Sequence, residues 1–204
     1  EMVEAMKEVA KEHHDFTVEE RNLLSIGYKN VIGEKRTAWR IVSALEDKQK
    51  SKDAESWKGF GCFFFFFSVL RINFLVEQFG TLRGTIEKEL HDIVDDIMEL
   101  LNPLIENRPD DAETGVFWLK MKGDYFRYVA EFESGDARHE ARDKANDAYN
   151  EALKIGEPLE KTNPLLLGLA LNFSVFFYEI MNDRDKACEM ARTYYDKAIA
   201  DLDK

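Results

Sequence analysis

A chain of 204 residues with 45% hydrophobic and 33% charged side chains is long enough to bury one core and too apolar for wholesale disorder. Its formal net charge of −12 argues against generic nucleic-acid binding, because phosphate backbones repel it at long range. With 4 Pro, 11 Gly, few β-branched runs and abundant Ala, Leu, Glu and Lys, the expected fold class is all-α.

Seven helical segments follow in chain order. The first covers about 1–13. Thr17-Val-Glu-Glu20 then reads as a capping box that opens a long helix to about Lys50. A linker rich in Lys, Ser and Asp follows, then an apolar stretch over about 59–80. A helix from about Leu82 to Asn107 carries Ile86, Leu90, Ile93, Ile97, Leu100 and Leu101 at helical spacing. Further helices are expected at about 113–133, 137–156, 164–181 and 184–203. Their connections are short, so neighbouring helices should be antiparallel, giving stacked hairpins in a single domain over 1–204.

Two basic stripes stand out in an acidic chain. Lys29, Arg36 and Arg40 are spaced by seven and four residues and project along one side of the second helix. Leu24, Tyr28, Val31, Ile32, Ala38, Trp39 and Val42 occupy the opposite arc as expected core. Lys120 and Arg127, seven apart, share a stripe with Asp124 and Glu131, carboxylates able to hold the Arg extended. Tyr128 adds a hydroxyl. Each stripe has two readings, a solvated charged face and an anion site, and spacing alone does not bring the stripes together. Facing each other, Lys29, Arg36, Arg127 and Tyr128 would surround a phosphate monoester, which is mostly dianionic at neutral pH.

Three ordered segments resemble one family. Arg21-Asn-Leu-Leu-Ser-Ile-Gly-Tyr-Lys-Asn-Val-Ile-Gly33, Phe117-Trp-Leu-Lys-Met-Lys-Gly-Asp-Tyr-Phe-Arg-Tyr128 and Asn163-Pro-Leu-Leu-Leu-Gly-Leu-Ala-Leu-Asn-Phe-Ser-Val-Phe-Phe-Tyr-Glu-Ile180 are similar to the third, fifth and seventh helices of 14-3-3 proteins. The resemblance covers nearly all of the chain except about 51–80. It implies a non-enzymatic adaptor that clamps, masks or scaffolds phosphoserine- or phosphothreonine-containing clients, without cofactor or metal. It places the phosphate clamp at Lys29, Arg36, Arg127 and Tyr128, with Lys120 bordering the groove. Asn172 is implied as the amide that holds the ligand backbone, and Glu179 lies further along. Leu171, Val175 and Ile26 are implied as apolar wall, with Asn22 and Ser25 nearby. Spacing agrees for the seventh segment: Gly168, Asn172, Val175 and Glu179 share a side, while Phe173, Phe176 and Phe177 suit burial.

Several positions depart from the family pattern. The resemblance implies an opening helix ahead of Glu1 and a last helix after Lys204, neither within this sequence. Leu82 and Thr85 stand where the family commonly has a Tyr and a Lys, Glu89 matches a dimer-contact acid, and Ala38 replaces a phosphorylatable Ser. The homo- or heterodimer of the family is therefore expected to be weakened. The alternative function is a structural or regulatory relative that has lost stable phosphopeptide binding.

The Phe-rich stretch is interrupted by Arg71, Asn73 and Glu77, which argues against a bilayer span. It is expected to be either foreign to the fold or a sticky or extra core strip with little part in peptide recognition. Enzyme readings lack ligands. None of His13, His14, His91 or His139 has Glu three positions earlier, and Asp92, Asp95, Asp96 and Glu99 read as a solvated acidic face. Ser25 and Ser174 belong to no recognisable triad, and no Gly-rich phosphate loop occurs. Asn172-Phe-Ser174 matches a glycosylation pattern but lies within an expected helix. Cys62 and Cys188 share no close-spaced motif and fit a reduced compartment. The expected location is cytoplasmic, with the nucleus also allowed.

Overall fold

The computed structural model describes residues 2–12, 15–55, 62–108 and 110–202; of these, 11, 52–55 and 62–73 are described by backbone alone. The described residues form seven helices and no strand: α1 (Met2–Glu12), α2 (Val18–Glu55), α3 (Cys62–Glu106), α4 (Ala112–Phe132), α5 (Gly135–Ile155), α6 (Pro164–Glu179) and α7 (Arg184–Leu202). The class is all-α, as the composition implies.

Local chemistry sets the starts. Thr17 and Glu20 close the expected capping box: the Thr17 backbone N–H donates to the Glu20 carboxylate at 2.8 Å, and the Glu20 N–H returns to the Thr17 hydroxyl at 3.3 Å. Asp111 caps α4 by accepting from the Thr114 N–H at 2.8 Å, and its carboxyl is lowered chiefly by hydrogen bonds from Thr114. Asn163 caps α6 by accepting from the Leu165 N–H at 2.9 Å, and Pro164 occupies the first turn, where a missing N–H costs nothing.

Two boundaries differ from the sequence reading. The long helix runs to Glu55 rather than ending near Lys50, so the start of the expected linker is helical. Helix α3 begins at Cys62, not Leu82, and takes in most of the Phe-rich stretch. Nothing between Phe63 and Leu82 is a strong helix breaker apart from Gly80, which has open space around it. The reading of that stretch as sticky or core rests on side chains up to 73, which lie outside the described residues; Phe74 is exposed. Among the described residues no helix is long and apolar enough to cross a membrane.

The chain packs as two compact units, Glu1–Gly27 with Val94–Lys204, and Tyr28–Ile93. In the second, Tyr28, Ile32, Val42, Ile86 and Leu90 are buried as expected. Val31 is exposed and Trp39 only half-buried. Trp39 instead spends its indole N–H on Glu87 at 2.9 Å, so its ring edge must stay near the polar surface. Buried Glu46 is held by Lys50 at 2.6 Å and Arg83 at 2.9 Å.

The first unit carries the larger core, with Trp118, Tyr125, Tyr149, Phe173 and Phe176 fully buried. Buried Arg21 donates to the Thr114 hydroxyl at 2.6 Å and ties the start of α2 to the start of α4. Contacts along α4 and α6 keep the same order: Asn163 reaches Glu113 near their starts, and Arg127 faces Glu179 near their ends. These two helices are therefore parallel, with the antiparallel α5 packed against both. Helix α7 is different. Of its 19 residues only Ala187 and Ala198 are buried, and the Lys161 N–H to Asp201 contact, 3.3 Å, fastens its far end.

Candidate functional site

The centre of the first unit's polar chemistry is a single carboxylate. Asp124 has a side chain only 1% exposed. Its Oδ1 accepts from the Tyr149 hydroxyl at 2.6 Å and from Asn172 Nδ2 at 2.8 Å. Its Oδ2 accepts from Lys120 Nζ at 3.0 Å and again from Asn172 Nδ2 at 2.9 Å. Arg127 Nη2 stands 3.5 Å from Oδ1. Burial pushes the Asp124 carboxyl up, but Lys120, Arg127 and the Tyr149 hydroxyl together outweigh it and hold it below the ordinary carboxylate range.

Arg127 is anchored from behind. Its Nε donates to the Tyr149 oxygen at 3.2 Å, and its guanidinium lies 4.7 Å from the centroid of the Tyr128 ring. Its Nη1 points to the half-exposed carboxylate of Glu179 at 3.6 Å. Burial disfavours the cation, yet the oxygens of Tyr149, Asp124 and Tyr128 raise its pKa above the ordinary guanidinium value. Charge at Arg127 is permanent, and two edges of its fork are already spent inside the protein.

The local sequence explains how three helices meet here. Residues 120, 124 and 127 share a face of α4 by their spacing of four and three. Tyr149 closes the cluster from α5, packed by Phe173 at 5.1 Å and buried among Ala141, Ala145, Ala148 and Ala152. Gly123 makes the approach possible: a Cβ there would lie 2.7 Å from the Tyr149 ring, a contact with no flexible end to yield. Asn172 completes the cluster from α6.

The structure thus brings together Lys120, Arg127, Asn172 and Glu179 of the expected site, and Tyr128 is buried beside Arg127. Leu171 is 60% exposed, Val175 half-buried and Ile26 50% exposed. Asn22 is exposed while Ser25 is buried. Phe177 is only half-buried, stacked on Phe173 at 4.6 Å. Lys29 and Arg36 belong to the other unit, where Lys29 is exposed and Arg36 half-buried. Glu89, expected as a dimer-contact acid, is engaged by Lys35 at 2.6 Å. Sequence reasoning missed Tyr149 and Gly123. The signal was one aromatic residue set in an alanine face.

The family model described as 14-3-3 protein matches residues 1–204. The chain is 45% identical over its full length to a 14-3-3 protein of Giardia intestinalis, covering 76% of that protein. It is 46% identical to 14-3-3 protein epsilon of Drosophila melanogaster and 43% identical to 14-3-3 protein 2 of Entamoeba histolytica, again over all 204 residues. These matches cover 71% and 78% of those relatives. The chain belongs to the 14-3-3 family. Membership supports, in general terms, a phosphopeptide-binding adaptor rather than an enzyme.

Proposed function

We propose that this protein binds phosphoserine- or phosphothreonine-containing segments of client proteins and acts by clamping, masking or scaffolding them. The observation that carries the reading is Arg127, fixed by Tyr149 and Asp124 on two edges while its Nη1 faces a half-exposed carboxylate. A guanidinium held in this way offers one preset donor group, Nη1, to an incoming phosphate and loses little freedom on binding. Tyr128 and Lys120 support the same role from the neighbouring turns of α4. Lys29 and Arg36 are proposed as further phosphate-binding cations on the strength of the family resemblance. Leu171, Val175, Ile26, Asn22 and Ser25 are proposed as lining for the rest of the peptide.

The test is a titration with one peptide in phosphorylated and unphosphorylated form. Charge-assisted hydrogen bonds at ~1.5–3 kcal/mol each predict a preference of at least about 100-fold for the phosphorylated form. Equal binding of both would leave the other reading, a relative that has lost stable phosphopeptide binding. Pairing with a second 14-3-3 chain is part of the same proposal. Leu82 is exposed and Glu89 already has Lys35 as partner, so weak pairing is expected in sedimentation over micromolar concentrations.

A further inference from the structure

A buried negative charge beside the cations of an anion site is at first sight a defect. Asp124 subtracts from the positive potential that Lys120 and Arg127 would present, and no anionic ligand gains from its presence directly. Its carboxylate is also saturated. Oxygens with about four lone-pair positions receive the Tyr149 hydroxyl, the Asn172 amide and Lys120, with Arg127 close by. At 1% exposure it has no surface left for a ligand.

We propose that Asp124 is the positioning residue of the site: it sets the direction in which Arg127 and Asn172 meet a phosphopeptide and does not touch the peptide itself. This rests on the function proposed above. For Arg127 the geometry fixes the ligand-facing edge, since Nε is spent on Tyr149 and Nη2 lies against Asp124, leaving Nη1 to look outward past Glu179. For Asn172 it fixes the amide flip. Nδ2 faces both carboxylate oxygens, at 2.8 and 2.9 Å; the opposite flip would set Oδ1 against two like-charged acceptors. Oδ1 is thereby turned away as an acceptor, with no hydrogen bond among the described residues. Asn172 can then receive a backbone N–H of the ligand. One carboxylate therefore coordinates two kinds of recognition, a cation for the phosphate and an acceptor for the main chain. Tyr149, which donates to Asp124 and accepts from Arg127, locks the two together.

The experiment compares wild type, Asp124→Asn and Tyr149→Phe by fluorescence anisotropy. The probes are a phosphoserine peptide, its unphosphorylated form, and phosphopeptides N-methylated singly at the residues flanking the phosphoserine. Wild type should discriminate for phosphate and lose about tenfold on N-methylation at one flanking position, the scale of one hydrogen bond. Asp124→Asn keeps the shape of the side chain but can turn an amide toward Asn172. It should bind the phosphopeptide about tenfold more weakly, and the N-methylation penalty should shrink to less than about twofold. A purely structural role would weaken all probes alike and leave that penalty intact, which would overturn the proposal. So would wild-type affinity in Asp124→Asn. If Asp124→Asn does not fold, Tyr149→Phe decides: it should weaken phosphopeptide binding about threefold, and unchanged binding would overturn the lock. A wild type indifferent to phosphate overturns the proposed function as well; discrimination in the wild type with no response to either variant overturns this inference alone.

Discussion

The basic stripes of α2 and α4 look alike in sequence, each pairing cations seven residues apart, yet the protein treats them in opposite ways. On α2, Lys29 and Arg40 are exposed and Arg36 is half-buried. On α4, Arg127 is buried, Lys120 is half-buried, and both are bound to a carboxylate that is itself buried. The difference comes from neighbours rather than spacing. Gly123 admits Tyr149 from α5, and α6 brings Asn172, so the α4 stripe is braced from two helices. Preorganisation of a charged group belongs to the packing around it. A charged side chain fixed in this way has less freedom left to lose when it binds.

That contrast can be broken by substitution. Arg127→Ala should have the largest effect, abolishing phosphate preference and costing about 3 kcal/mol of stability, because Asp124 is left short of a counter-charge. Peptide titration and urea unfolding measure the two parts, and loss of binding at unchanged stability would mean the α4 cluster is no more integrated than the α2 stripe. Gly123→Ala should come next, costing about 2 kcal/mol by forcing the Tyr149 ring out of its slot. Affinity should fall with it, since the ring carries the hydroxyl that holds Arg127. Lys29→Glu should weaken phosphopeptide binding about tenfold while leaving unfolding within ~0.5 kcal/mol, the behaviour of an exposed site.

The smallest effect is the pH response, and its sign follows from Asp124. Because that carboxyl lies below the ordinary range, its contribution to stability is complete above ~3.9 and is lost only as pH falls through the lower folded value. The cluster is therefore intact at pH 5. Affinity should still decline between pH 7 and 5 as the ligand phosphate gains a proton near ~6. Anisotropy titrations across that range, with the unfolding midpoint followed in parallel, would show the two curves separating. A midpoint that drops together with affinity would place the titrating group in the protein.

Much of the fold was legible because it is local. The Thr17–Glu20 box, the Asn163-Pro164 start and the breaks near Ser134, Gly156 and Asn182 are short-range chemistry, and each marks an end in the structure. The apolar run after Cys62 was not read as part of α3, because uniform hydrophobicity has no period to count. Val31 and Trp39 were assigned to the core on a helical arc drawn too wide. At the site, spacing puts Arg127 in a basic stripe, whereas Asn172 is reached only through family resemblance. Arg127 depends on Tyr149, 22 residues away, and Asn172 on Asp124, 48 residues away; both are contacts across helices, and no spacing rule reaches that far.

Helix α7 has a consequence for the order in which the protein loosens. With only Ala187 and Ala198 buried, it contributes little apolar area to the core, whereas α4 buries 14 of its residues. Amide protons of α7 should accordingly exchange with deuterium through local opening long before those of α4, whose release requires global unfolding. Helix α7 would then come away and return while the Asp124 cluster stays assembled, and a protease acting on the folded chain would cut first in the left-handed turn at Asn182.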